Sequence, residues 1–173
     1  CDWSSDVCSS DLSDTHGILD ERILPYLENV DEIWHAGDIG NAKIIQTLEN
    51  KAILRTVFGN IDDHTIKSIT QEWATWHTEK VKILMTHIAG RPPKYSPAVL
   101  EKIKLEKPKI FICGHSHILL IQYVESLNCL HLNPGACGKH GWHKVQTLLR
   151  FQIDGSDIKN MEVIELKRTG VSS

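Results

Sequence analysis

The chain has 173 residues, a length that suits one domain around one sizeable core. Apolar residues make up 41% and charged residues 24%, and the formal net charge is -3 with no long basic run, which argues against a long nucleic acid as partner while leaving small nucleotides open. No apolar stretch approaches the ~20 residues that cross a bilayer and no basic-then-apolar leader marks a signal peptide, so no membrane association is expected.

Residues 1–12 fit a folded domain poorly. They combine four serines and three aspartates with only Trp3, Val7 and Leu12 as large apolar side chains. The stretch resembles translated sequencing-adapter sequence and reads as a leader that is disordered or foreign to the domain, in the place where a buried first strand belongs. Residues 18–30 then read as a helix with Ile23, Leu24 and Leu27 on one face, although Pro25 is tolerated only in a first turn. Residues 32–35 form a short strand, 42–48 a helix, and 52–58 a strand that stops at Gly59. Residues 81–86 are a buried strand running into His87, 97–107 a helix opened by Pro97, and 109–113 a buried strand running into Gly114. Strand-like runs follow at 119–124, 129–132, 145–153 and 161–166, with Asp154-Gly155 as a hairpin turn. The pattern is βαβα for two-thirds of the chain and a β-meander after it, which predicts two sheets face to face with helices outside. Residues 169–173 read as a frayed tail.

The five cysteines form no C-x-x-C pair, and Cys113 and Cys129 lie in apolar runs, so reduced thiols in a cytoplasmic setting are the simplest reading. The ten histidines matter through their contexts. Five short motifs stand at or just after strand ends: Asp14-Thr15-His16, Gly37-Asp38, Gly59-Asn60-Ile61-Asp62, Thr86-His87 and Gly114-His115-Ser116-His117. Open α/β sheets gather their ligand sites there. Taken singly, each motif is commonly a turn or a core histidine; taken in order, they describe a metal site. Asp, His and Asn without Cys suit Mn, Fe, Ni, Zn or Mg. Alternating Asp14 and His16 project to one side of an extended chain, and His115 and His117 share that spacing. The two oxygens of Asp38 can bridge two ions, and neutral Asn60 avoids repelling a phosphate. Two ions ~3.5–4 Å apart can clamp a phosphate and activate a water.

This order and spacing resembles the calcineurin-like metallophosphoesterases, and within them the small single-domain YfcE-like phosphodiesterases, from about Ser13 to Leu166. Asn133-Pro134-Gly135-Ala136-Cys137 is similar to that family's N-P-G-S segment, with Ala136 in place of Ser. The resemblance implies a four-layer α/β/β/α sandwich of two mixed sheets over residues 13–168. It implies that Asp14, His16, Asp38 and His117 hold one divalent ion and Asp38, Asn60, His87 and His115 the other, with manganese the first expectation and Ni, Co, Zn, Fe or Mg as alternatives. Asp38, Asn60 and His115 are the candidate catalytic residues. The expected activity is hydrolysis of a small phosphoester, a phosphodiester above all, by in-line attack of a metal-bound hydroxide, with no covalent intermediate. A homo-oligomer is compatible with the sequence. The alternatives are a non-catalytic metal-binding scaffold, as in one branch of the family found in trafficking complexes, and a nuclease or dinucleotide polyphosphate hydrolase.

Two departures bear on chemistry. Larger relatives carry a His directly after the motif Asn, a general acid worth ~10²–10⁴-fold, and here that position is Ile61. Many relatives also carry His-Gly-His after the first strand-end His, whereas this chain reads Ile88-Ala89-Gly90-Arg91-Pro92-Pro93-Lys94-Tyr95. Arg91 and Lys94 are placed either to meet a second phosphate or nucleotide or to remain solvated cations. His64, His140 and His143 are candidates for facing substrate, and His35, His77 and His131 are read as structural. Trp34, Trp73, Trp76 and Trp142 are assigned to the core or the sheet surface.

Overall fold

The computed structural model describes residues 6–168. Twelve strands are assigned: β1 (Val7–Leu12), β2 (Glu32–His35), β3 (Ile53–Thr56), β4 (Trp73–Thr78), β5 (Val81–Thr86), β6 (Gly90–Arg91), β7 (Lys94–Tyr95), β8 (Ile110–Ile112), β9 (Leu119–Val124), β10 (Cys129–Pro134), β11 (Val145–Asp154) and β12 (Asp157–Lys167). The α-helices are α1 (Ala42–Glu49), α2 (His64–Ile69) and α3 (Pro97–Glu106). Sheet one has the order β12-β11-β1-β2-β3, parallel from β1 to β3 and antiparallel from β1 to β12, and sheet two has the order β4-β5-β8-β10-β9, with a parallel centre and antiparallel flanks.

Strand periodicity divides the core into three layers. Leu12, Ile33 and Leu148 turn outward from sheet one and meet Ile44, Ile45 and Leu48 of α1 and Ile66 of α2. Trp34, Leu149 and Phe151 turn inward and meet Ile83, Ile110 and Leu132 of sheet two. Leu84 and Phe111 turn outward from sheet two onto Val99 and Ile103 of α3. The result is the expected α/β/β/α sandwich, a mixed α/β fold. Capping follows local chemistry: the side chains of Asn41, Asp63 and Ser96 accept the first backbone N–H groups of α1, α2 and α3, and α3 opens on Pro97 as the sequence suggests.

Several expectations need correction. Residues 18–30 do not form an α-helix; Glu21–Leu27 is a 3-10 segment with Pro25 inside it, since proline lacks the N–H that an α-helical bond requires at that point. The last third is not a continuous meander. β9 and β10 pair within sheet two, and the chain then crosses to sheet one for the β11–β12 hairpin. Helix α2, strand β4 and the two-residue ribbon β6–β7 carry no clear sequence signal. The tail at 169–173 and residues 1–5 lie outside the described residues.

The largest correction concerns residues 7–12. They are not a disordered leader: β1 is the central strand of sheet one, parallel to β2 and antiparallel to β11, so the folded unit begins at least as early as Val7. Backbone pairing on both sides satisfies the main chain whatever the side chains are. The composition still leaves a defect. Asp11 lies in register with Trp34 and Leu149, both in the apolar layer between the sheets, and is fully buried with neither carboxylate oxygen hydrogen-bonded. Burial pushes its pKa well above the ordinary value. A raised carboxyl pKa means stability that is complete below the unfolded value of ~3.9 and is lost as pH rises toward the folded value. Asp11→Val should therefore stabilise the chain by about 1–3 kcal/mol near neutral pH and remove part of this decline. Denaturant midpoints of parent and variant from pH 4 to 8 test this; equal midpoints throughout would show that Asp11 is not strained.

Candidate metal centre

Each motif sits just past a strand end on one edge of the sandwich. Asp14 and His16 follow β1, Asp38 follows β2, Asn60 follows β3, His87 follows β5, and His115 and His117 follow β8. Asp14, His16 and His117 converge into one group, and Asp38, His87 and His115 into a second, the potential donor atoms within each lying no more than 4.8 Å apart. In the first, His117 Nε2 lies 3.2 Å from both Asp14 Oδ1 and His16 Nε2. In the second, His87 Nε2 lies 3.2 Å from Asp38 Oδ1. The other oxygen of Asp38 faces the first group, with Oδ2 3.8 Å from His16 Nε2. One carboxylate thus addresses both groups. Asn60 is exposed in the turn after β3 and shares a cavity of about 260 Å³ with His87.

The alternation of Asp14 with His16 does not work through an extended chain. Asp14, His16, Asp38, His115 and His117 have φ of 55°, 49°, 56°, 67° and 56°, so all five occupy the left-handed region. Asp and His are among the residues that tolerate this region best, and such outliers gather at functional sites. Two motif glycines are required by close approach. A Cβ at Gly59 would stand 2.0 Å from Asp38 Oδ1, and one at Gly114 would stand 2.0 Å from Ser13 Oγ and 2.9 Å from Asp14 Oδ2.

Neighbouring groups orient the donors. His87 Nδ1 lies 2.7 Å from the Ala36 carbonyl, which can only accept, so Nδ1 carries a proton and Nε2 is the ring nitrogen that faces Asp38. Asp14 Oδ2 accepts from the His115 N–H at 3.1 Å, and Asp38 Oδ1 from the Ile61 N–H at 3.1 Å. Burial opposes ionisation of Asp38, but His87, the Ile61 N–H and His16 outweigh it and hold the carboxyl below its usual range. Burial lowers the His16 imidazole despite the nearby Asp38 and Asp14 carboxylates.

The residues fit divalent ions. Asp14 Oδ1 and His87 Nε2, one in each group, are buried without a hydrogen-bond partner, although each has a neighbour at 3.2 Å. An unsatisfied buried donor or acceptor costs about 1–3 kcal/mol, which a coordinated cation would remove. Cys113, beside Gly114, offers no thiolate, because burial pushes its pKa up to about 12.

Some roles were only half visible in the sequence. The carboxylate of buried Asp62, in the Gly59-Asn60-Ile61-Asp62 motif, accepts N–H groups from Gly40 at 2.7 Å and Gly59 at 2.8 Å, tying the Asp38 and Asn60 loops together. Asn133 donates to the Gly114 carbonyl at 2.9 Å and to Ser116 Oγ at 3.1 Å, bracing the His115 loop. The chain beyond it returns to β1's loop through Cys137 N to Ser13 O and Gly138 N to Asp14 O. His140 and His143 stand beside the first group, with ring centroids 5.0 Å from His16 and 5.3 Å from His117. His64 is exposed at the start of α2 and joins neither group. His35 and His131 are buried, hydrogen-bonded and lowered by burial to about 4, as structural histidines should be, whereas His77 is exposed on β4. Trp34 and Trp76 pack edge to face in the core, but Trp142 is fully exposed outside any strand, contrary to its assignment to the core or the sheet surface.

Asp62→Ala should leave the sandwich folded and lower Mn²⁺ affinity by about 10–100-fold, the usual effect of removing an outer support. Calorimetric titration of the metal-stripped protein checks this; unchanged affinity would remove Asp62 from the list of positioning residues.

Known proteins share the fold. The chain is similar to a probable metallophosphoesterase from Methanothermobacter thermautotrophicus, with 28% identity over 131 residues that span 72% of this chain and 74% of that one. It shares its fold with an archaeal phosphodiesterase at a TM-score of 0.68 and 24% identity, covering 92% of this chain and all (100%) of that one. It likewise shares its fold with Vps29 complexed with zinc from Entamoeba histolytica at a TM-score of 0.72 and 16% identity, covering 94% and 100% of the two chains. The model of the calcineurin-like phosphoesterase superfamily domain matches residues 11–156, from the end of β1 into the β11–β12 turn and through every motif above, and the chain belongs to that superfamily.

Proposed function

We propose that this protein is a metal-dependent phosphodiesterase whose two ligand groups, joined by Asp38, hold a pair of divalent ions, manganese first among them. The observation that carries this reading is the division of one carboxylate between two donor groups, each with an orphaned buried donor atom. Asp14, His16, Asp38 and His117 would hold one ion and Asp38, Asn60, His87 and His115 the other. When bound, such a pair supplies a water of lowered pKa and a clamp on the phosphoryl oxygens. The chain's own contribution is placement. The Ala36 carbonyl orients the His87 ring, the Ile61 N–H and His87 keep Asp38 ionised, and His115 stands exposed where substrate would arrive. No thiol or hydroxyl in the site is set up as a nucleophile, so direct hydrolysis is the reaction class.

Stripping the protein with a chelator should abolish hydrolysis of an aryl phosphodiester, and Mn²⁺ should restore it. Asp38→Asn should keep the fold, lose the second ion, and reduce kcat at least 10²-fold. Recovery with none of Mn, Ni, Co, Zn, Fe or Mg on any phosphoester would favour the scaffold reading instead.

Ile61 is 46% exposed and has no proton to give, so the departing oxygen must leave as its anion. Across substituted aryl diesters, log kcat should fall steeply as leaving-group pKa rises. A flat series would reveal a general acid elsewhere, with His140, beside His16, the first to replace.

A further inference from the structure

A cavity of about 410 Å³ opens beside the second ligand group, lined by His115 and by residues of the β6–β7 ribbon. Its lining includes apolar Pro92, Ile118 and Leu120 and the exposed cations Arg91 and Lys94. In the ribbon, Arg91 and Lys94 are direct cross-strand partners, so their side chains project to one face. Two like charges opposite each other are destabilising, and among the described residues nothing relieves them: no Asp or Glu lines the cavity, and neither side chain has an ion-pair or hydrogen-bond partner. An anion between them would turn that repulsion into attraction on both sides. Arg offers a planar fork that suits a carboxylate or phosphate, and Lys adds a mobile point charge.

We propose that Arg91 and Lys94 form a subsite for a second anionic group on the substrate, carried on an apolar or aryl substituent that fills the cavity beside His115. The inference rests on the phosphoester reading of the metal centre and narrows its substrate class. The preferred substrates are phosphoesters with an additional carboxylate or phosphate, one ring or so away from the reacting phosphorus.

Two inert probes test it by calorimetry on the Mn²⁺-loaded protein: phenylphosphonate, and 3-carboxyphenylphosphonate, which adds one charge. The second should bind at least tenfold more tightly than the first, and the advantage should shrink as salt screens the exposed pair. The double substitution Arg91→Gln, Lys94→Gln should bring the ratio of the two affinities close to one, while Arg91→Lys, Lys94→Arg, which keeps both charges and the ribbon, should preserve it. Two phosphonates bound equally by the parent protein, or a ratio that survives the double Gln variant, would overturn the subsite and leave the metal-centre reading standing. Binding of neither phosphonate would overturn both.

Discussion

Asp38 has to remain an ionised carboxylate while it sits 2% exposed between two sets of imidazoles, and much of the local architecture follows from that requirement. A buried carboxylate is stable only where donors surround it. The donors come from loops that are far apart in sequence, so those loops must be locked to one another. A belt of hydrogen bonds does this. Asp14 N reaches the Gly37 carbonyl, His16 N the Asp38 carbonyl, and Gly114 N the His87 carbonyl, while the side chain of His87 holds Ala36. The Asp62 carboxylate closes the belt on the Asn60 side, and the return of the chain after β10 closes it against β1.

The same locking explains the backbone. A non-glycine residue in the left-handed region costs on the order of 1–2 kcal/mol, and five ligand candidates accept it. Such a conformation persists only where its surroundings over-determine it. Here the N–H of Asp14, His16 and His115 is in each case bonded to a partner in another loop. The strain is therefore part of the preorganisation: the donors point inward before any ion arrives.

The sequence disclosed the site far better than the scaffold around it. Residue type at each strand end was enough to pick out Asp14, His16, Asp38, His87, His115 and His117, because few side chains can hold a divalent ion. Strand β5 was equally plain, since a strand covered on both faces reads as a mostly apolar run, here Val81 and Ile83 to Met85. Patterns were silent on partners, so β9 to β12 could be seen as strands but not assigned to two sheets. They were misleading where one residue overrode periodicity, as Pro25 does in the 3-10 segment. For β1 they pointed the wrong way entirely: Ser9, Ser10 and Asp11 look like solvent-facing chain, and only pairing with β2 and β11 on either side places them in the centre of a sheet. The orientation of Asp38 toward two groups, and the braces at Asp62 and Asn133, depend on three-dimensional proximity that no local pattern encodes.

Each ligand group spans the gap between the two sheets. Asp14 and His16 are carried by sheet one and His117 by sheet two; Asp38 is carried by sheet one, and His87 and His115 by sheet two. The centre is in effect a joint between two plates. Sliding one plate over the other by a fraction of an ångström would alter donor spacings in both groups at once, while leaving distances within either plate untouched. The plates meet in the layer where Trp34 of sheet one packs edge to face on Trp76 of sheet two, 5.2 Å between ring centroids. None of the candidate ligands lies in that apolar layer, yet because both groups span the two sheets, remodelling it would act on the two groups as a pair.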